Sequence, residues 1–300
     1  MKLPMLKTCN CDFLTFILTL LISIFGGHII SNAQAVTPGL EGILLEKFYE
    51  VNEKDRSVQH LSGVIDEGAI TWRIFLDLEP GYRFQAAYGT TEHPLELNST
   101  AVIYNHNGFG NYCPNVIMEK FFHQDILFLD SWFSTGAATE TQLAIPRVYD
   151  IDRQHDFIRF EKGFLENDLG DGNGKLAMRD GMDDAETMVF PTFYHMDEAQ
   201  KQMMTTAVSN HVVIEDGAWA AMGKGALGLD SLGRNHLLIA QITTAGDLEC
   251  KLNIMIGTPD GKSLRYVYAN PQENEQLHPA LMIRSEPKKK IENQKKKSRK

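Results

Sequence analysis

The chain has 300 residues, 43% of them hydrophobic and 23% charged, and a formal net charge of −10. Its length is ample for a real core, as one large β domain or two small ones, and its four cysteines are far from a disulfide scaffold. The charge is uneven: residues 1–35 carry +1 and residues 284–300 carry +7, which leaves −18 on residues 36–283.

Lys2 and Lys7, the apolar run from Phe13 to Phe25 and the small-residue site Ala33-Gln34-Ala35 have the order of a secretory signal peptide cleaved after Ala35. The alternative is an uncleaved membrane anchor. A stable span wants about 20 apolar residues, and Gly26, Gly27 and His28 interrupt this run. Cys9 and Cys11 leave with the signal, and the mature chain begins at Val36.

Residues 42–51 read as a first strand. Over 69–78, Trp72, Ile74 and Leu76 point to one side, and Thr71, Arg73, Phe75 and Asp77 to the other. Pro80-Gly81 fits a type II turn. Strands follow over 83–89 and 95–105, then a Gly/Asn-rich loop to Asn115. Residues 125–138 form an apolar strand ending in small residues. The polar, Gly/Asp-rich stretch 150–186 reads mostly as loop. Met196, Ala199, Met203 and Ala207 have helical spacing and predict the one helix.

Strand pattern resumes over 211–223. His236 to Gly261 reads as a hairpin: Leu237 to Thr243 is apolar on both faces until Gln241, and Ala245-Gly246 supplies a turn in which Gly takes a positive φ. Beyond it Leu248, Cys250, Leu252, Ile254 and Ile256 alternate with Glu249, Lys251, Asn253 and Met255. Many short strands without a βαβ rhythm predict a mainly β fold, an antiparallel, jelly-roll-like β-sandwich over 36–283 with few short helices. The basic stretch 284–300 is expected to be a disordered tail.

Chemistry-bearing motifs are sparse. Asp168, Asp171, Asn173, Asp180 and Asp183 could supply a calcium loop, since a hard cation wants several oxygens on a tight turn. The EF-hand order fails, because Lys175 takes the fifth position if Asp171 takes the first, and a solvated acidic loop is the alternative. Cys113 and Cys250 are the only mature cysteines, so a single bridge between them is one reading. Cys250 as a small apolar core residue is the other. Gly223 to Gly228 matches the dinucleotide fingerprint literally, yet Gly233 and the next strand leave no room for the helix that motif needs, and a surface loop is expected.

No His-x-x-x-His, mature Cys-x-x-Cys or Gly-x-Ser-x-Gly is present, so zinc and serine-hydrolase chemistry lack a local signature; His106 and His123 flank Cys113 only loosely. Carboxylate pairs for glycoside cleavage need no motif. Trp72, Trp132 and Trp219 could stack sugars, but each sits in an apolar strand pattern that favours core packing. Asn98-Ser99-Thr100 fits an N-glycosylation acceptor in a host with that pathway. The Lys-rich tail suits an anionic envelope polymer or polysaccharide, or serves solubility alone. It has no device for reading nucleic-acid sequence.

The stretches "ITWRIFLDLEPGYRFQAAYGTTEHPLEL", "LDSWFSTGAAT", "DGAWAAMG" and "LLIAQITTAGDLECKLNIMIGTPDG", with the closing "LHPAL", together resemble a family of secreted β-rich domains of Bacteroidota cell-surface proteins. The resemblance spans Leu40 to Leu281. It implies a secreted, surface-associated domain of the kind often followed by Ig-like repeats and a C-terminal sorting domain, and it carries no catalytic residues. Here a basic tail follows the domain, and Trp72 and Phe75 stand where that family has tyrosines. The expectation is a binding or structural module of the cell envelope or extracellular matrix, secreted, periplasmic or on the surface. The rival is a secreted polysaccharide hydrolase.

Overall fold

All ten residues of Asn235–Thr244 are buried, as a strand covered on both faces requires. The computed structural model describes residues 38–51, 65–106, 108–118, 120, 124–146, 157–161, 164–167, 181–185, 188–197, 200–201, 209–228 and 233–285. The chain divides into two compact units, Met1–Val36 and Thr37–Lys300. The first lies outside the described residues, as does the basic tail beyond Ser285.

In chain order the strands begin with β1 (Leu40–Glu50), β2 (Ile70–Leu78), β3 (Arg83–Gly89), β4 (Leu95–Ser99), β5 (Trp132–Phe133) and β6 (Gln142–Ala144). Then come β7 (Phe157–Glu161), β8 (Phe164–Asn167), β9 (Met182–Asp184), β10 (Pro191–Tyr194), β11 (His211–Ile214) and β12 (Gly217–Ala221). The last six are β13 (Asn235–Thr244), β14 (Leu248–Lys251), β15 (Asn253–Gly257), β16 (Ser263–Val267), β17 (Glu275–Leu277) and β18 (Met282–Arg284).

They form one six-stranded sheet in the order β5-β13-β2-β1-β8-β7 and a second in the order β10-β12-β3-β15-β16-β17. A four-stranded sheet, β11-β4-β14-β18, and the pair β6-β9 complete the set. Neighbours are antiparallel except β1–β8 and β16–β17. The fold is mainly β with antiparallel sheets, as expected.

Three sheets share one core. Leu45, Trp72, Ile74 and Ile239 come from the first, Phe84, Trp219, Ile254 and Tyr266 from the second, and Leu97, Val212 and Cys250 from the four-stranded sheet. The rings of Phe133 on β5 and Trp219 on β12 stack at 4.1 Å and 18°, which puts the two large sheets in direct contact. A fully buried side chain of this size contributes roughly 1.5–3 kcal/mol. A second cluster, in which Phe48, Phe75 and Leu238 meet Phe128, Leu129, Trp132 and Met182, covers the opposite face of the first sheet.

The Pro80-Gly81 turn forms as the sequence requires: Gly81 has φ +87° and Tyr82 N–H donates to Glu79 O at 3.2 Å. The residues from 236 to 261 do not form the expected hairpin. β13 pairs with β2 and β5, whereas β14 pairs with β4 and β18, so residues 245–247 are an arch between two sheets. The reason is burial: a strand apolar on both faces takes a central place that a two-stranded ribbon does not offer. Gly246 lies outside the positive-φ region. It is needed for space, since a Cβ there would stand 2.3 Å from the Ala101 backbone nitrogen.

Three further expectations change: the strand expected over 125–138 is a 3-10 helix over Gln124–Leu129 followed by the two-residue strand β5. The stretch 150–186, read mostly as loop, carries β7, β8 and β9, and the strand expected over 95–105 ends at Ser99. Of the expected helix Gln200 and Lys201 are helical and Met196 and Asp197 precede it in non-helical backbone, while residues 198–199 and 202–208 lie outside the described residues. Its start is a reciprocal capping box: Gln200 N–H donates to Asp197 Oδ1 at 2.7 Å and Asp197 N–H to Gln200 Oε1 at 3.0 Å.

Candidate functional site

A group of buried polar side chains lies on the covered second face of the first sheet. There Glu46 on β1, Arg73 on β2 and Gln241 on β13 are cross-strand neighbours, and none is exposed. Arg73 Nε–H donates to Gln241 Oε1 at 2.9 Å and Nη1–H to Gly181 O at 2.9 Å. Its guanidinium carbon lies 3.4 Å from the centre of the Phe48 ring, a close cation–π contact. The Gln241 amide donates in turn to Phe128 O at 2.9 Å and Asp130 O at 2.7 Å. Thr71 and Thr243 share a hydroxyl–hydroxyl bond of 2.7 Å one row further along.

Asp130 extends this network to the Gly/Asn-rich loop. Its Oδ1 accepts from His106 N–H and its Oδ2 from Asn111 N–H, both at 2.8 Å. Burial pushes its carboxyl up to about 8, against the lowering effect of those backbone donors. His106 Nδ1 accepts from Gly108 N–H at 3.2 Å and Phe109 N–H at 3.1 Å, so that nitrogen carries no proton. Ser131 Oγ–H donates to Tyr104 O at 2.7 Å and accepts from Thr243 N–H at 2.9 Å. The Asp130-Ser131-Trp132 segment is therefore a clamp that fixes a surface loop from beneath. That loop region exposes Phe109, Val116 and Met118. Arg73 inside an apolar strand, and Asp130 inside "LFLDSWF", were the sequence signals for this interior network.

Ionisable groups also meet at strand ends. His93 Nε2 stands 3.0 Å from Glu275 Oε2, and His236 Nε2 stands 2.9 Å from Asp77 Oδ1. Glu41 beside the latter pair is raised above the ordinary carboxylate range, by its partial burial first and by Asp77 and Glu79 next. The open surface holds two shallow hollows. One of about 470 Å³ lies among Ile65, Ala69, Val102 and Tyr104, and one of about 550 Å³ among Asn98, Asp247, Glu249 and Arg284. In the second, the Ser99 and Ser285 hydroxyls are held in hydrogen bonds of the fold, to Thr244 Oγ1 at 2.6 Å and from Leu248 N–H at 2.8 Å.

Asp168, Asp171, Asn173 and Asp180 lie outside the described residues. Asp183 is half-buried on β9 and accepts from Asp184 N–H at 2.9 Å. Among the described residues no three His, Cys, Asp or Glu side chains converge as a metal site would need. Cys113 and Cys250 are not bridged, contrary to one reading of the sequence. The Cys250 thiol faces into the shared core from β14, and the Cys113 thiol donates to Asn115 Oδ1 at 3.3 Å. Burial raises both thiols, that of Cys113 to about 11. Gly223 to Gly228 forms a loop in which Gly223 and Gly225 have positive φ, not a strand-to-helix cradle. Asn98 sits in mid-strand on β4, and its amide donates to Glu96 Oε2 at 3.2 Å.

Trp132 and Trp219 are fully buried and Trp72 is 6% exposed, so none forms a stacking platform. Among the described residues no helix is long and apolar enough to cross a membrane. Neither family models, curated proteins nor solved structures contain a match to this chain.

Proposed function

We propose that the protein is a secreted or surface-associated module that binds or scaffolds in the cell envelope or extracellular matrix. The observation that carries this reading is where its functional-looking residues are spent. All three tryptophans are interior, and Arg73, Gln241 and Asp130 are engaged in hydrogen bonds within the body. Such a body is a rigid carrier for its loops and tail. The signal-like N-terminus and the likeness to secreted Bacteroidota domains support the same reading. The tail of residues 284–300, at +7, would add attraction to an anionic envelope polymer.

The test is retention on immobilised anionic envelope polysaccharide by the full chain and by a chain ending at Ser285. Strong retention of the full chain at low salt, lost at high salt and lost on removing the tail, is the expected result. Equal retention of both chains at both salt concentrations would remove the tail from the account. Hydrolysis of the polysaccharide during the experiment would instead establish the rival enzyme. The acidic group Glu41, Asp77 and Glu79 around His236 is then the first place to mutate.

A further inference from the structure

The outermost strand of the second large sheet, β10, is the anomaly on this surface. Residues 188–194 read Met-Val-Phe-Pro-Thr-Phe-Tyr, without a single charge. Phe190 is 59% exposed and Tyr194 43%, and Met222 beside them is 55% exposed. The Tyr194 hydroxyl reaches Met222 Sδ at 2.7 Å, so these side chains form one connected apolar margin. Phe193, on the other face of the strand, packs its ring edge-on to Tyr112 at 4.9 Å. Among the described residues β10 pairs with β12 alone.

Exposed edges in natural sheets are blunted by charge, bulges or covering loops, because unpaired N–H and C=O groups recruit another strand. The edge strand β18 follows that rule, carrying Arg284 paired to Glu249. Among the described residues Pro191 alone guards β10, and it blocks no more than the first position.

We propose that β10 pairs antiparallel with β10 of a second copy of this chain, continuing the six-stranded sheet across a two-fold axis. The charges around the edge select this occupant. Exposed Lys224 follows the Pro191 end of the β10–β12 ladder, while exposed Glu215 and Asp216 precede its Tyr194 end. Within one chain these groups lie at opposite ends of β12. An antiparallel two-fold brings the basic end of each copy beside the acidic end of the other, whereas parallel pairing would set like charges together. The backbones that carry them would stand three strand spacings apart, about 14 Å, a gap narrowed by the long lysine side chain. Thr192 of each copy would face Thr192 of the other, which sets Phe190 of each opposite Tyr194 of its partner, and Phe190, Tyr194 and Met222 would come together over the seam. Because the two-fold contact uses the β10 edge of both copies, the association closes at two.

The mass in solution of the secreted protein decides it. The wild type is expected to have twice the mass of one chain and to dissociate more readily at high salt. Phe190→Lys is expected to give single chains with native tryptophan emission, since that side chain is exposed, and a melting temperature that no longer depends on protein concentration. Lys224→Glu is expected to weaken the dimer about tenfold, about 1.4 kcal/mol. Adding Glu215→Lys and Asp216→Lys to it should restore the dimer, and only antiparallel pairing allows that rescue. A wild type that stays single across the micromolar range, a dimer indifferent to Phe190→Lys, or a charge swap without rescue would each overturn the proposal.

Discussion

Arg73 and Gln241 are 168 residues apart in the chain and meet on adjacent central strands through one buried hydrogen bond of 2.9 Å. This contact ties the cation to the Gln241 amide, and that amide to the carbonyls of Phe128 and Asp130. Replacing Gln241 with Leu leaves a guanidinium N–H and two carbonyls without it in a medium that solvates none of them. The expected loss is about 3 kcal/mol. Combining Gln241→Leu with Arg73→Met should cost less than the sum of the two single changes, because neither partner is then left stranded. Urea unfolding of the four proteins measures this coupling, and strict additivity would refute it.

The Asp130 carboxyl makes stability depend on pH. In the unfolded chain it titrates near the ordinary value of 3.8, and in the fold near 8. Between those values the folded state holds a proton that the unfolded state has lost. Stability should therefore fall as pH rises from about 4 to about 8 and stay level above, with a total of at most about 6 kcal/mol from this group. Asp130→Asn should flatten that slope while costing about 1–2 kcal/mol at low pH, since one of the two backbone donors loses its acceptor. An unchanged slope in the variant would place the dependence elsewhere.

The three tryptophans provide an optical check of the body. With Trp132 and Trp219 sealed and Trp72 nearly so, emission should be blue-shifted and acrylamide should quench little of it. Trp219→Ala, which removes the stack on Phe133, should cost about 3–5 kcal/mol. Ready quenching of the native protein would restore a sugar platform.

Two glycines separate conformational need from spatial need. Gly81 has a positive φ, and a Cβ there would meet only Pro259 side-chain carbons, the nearest at 3.3 Å. Gly81→Ala should cost about 1–2 kcal/mol. Gly246→Ala drives a methyl group into the Ala101 backbone and should cost at least about 3 kcal/mol. Thermal unfolding ranks the two, and the reverse order would contradict the arch.

Calcium is a separate test. Asp183 lies in a strand and holds the Asp184 amide, which leaves it poorly placed to join a loop ligand set. Chelation is expected to leave the melting temperature unchanged. A fall on chelation that calcium reverses would assign the ion to the acidic stretch.

Local pattern carried the sequence reading as far as faces and turns. Alternation through Leu248, Cys250, Leu252, Ile254 and Ile256 marked the side chains that are buried, and the both-face apolar run of β13 marked a central strand. Pro80-Gly81 marked its turn, because Gly alone takes that φ without strain. Partner choice was not local. That β13 goes to one sheet and β14 to another depends on which distant strands compete for each edge, and a period of two says nothing about it. The same holds for the polar network: Glu46, Arg73, Gln241 and Asp130 looked like isolated polar residues until four segments closed over them. A polar group's environment is set by everything that packs against it, so the chain alone established which residues turn inward, and only the tertiary structure decided which of them meet.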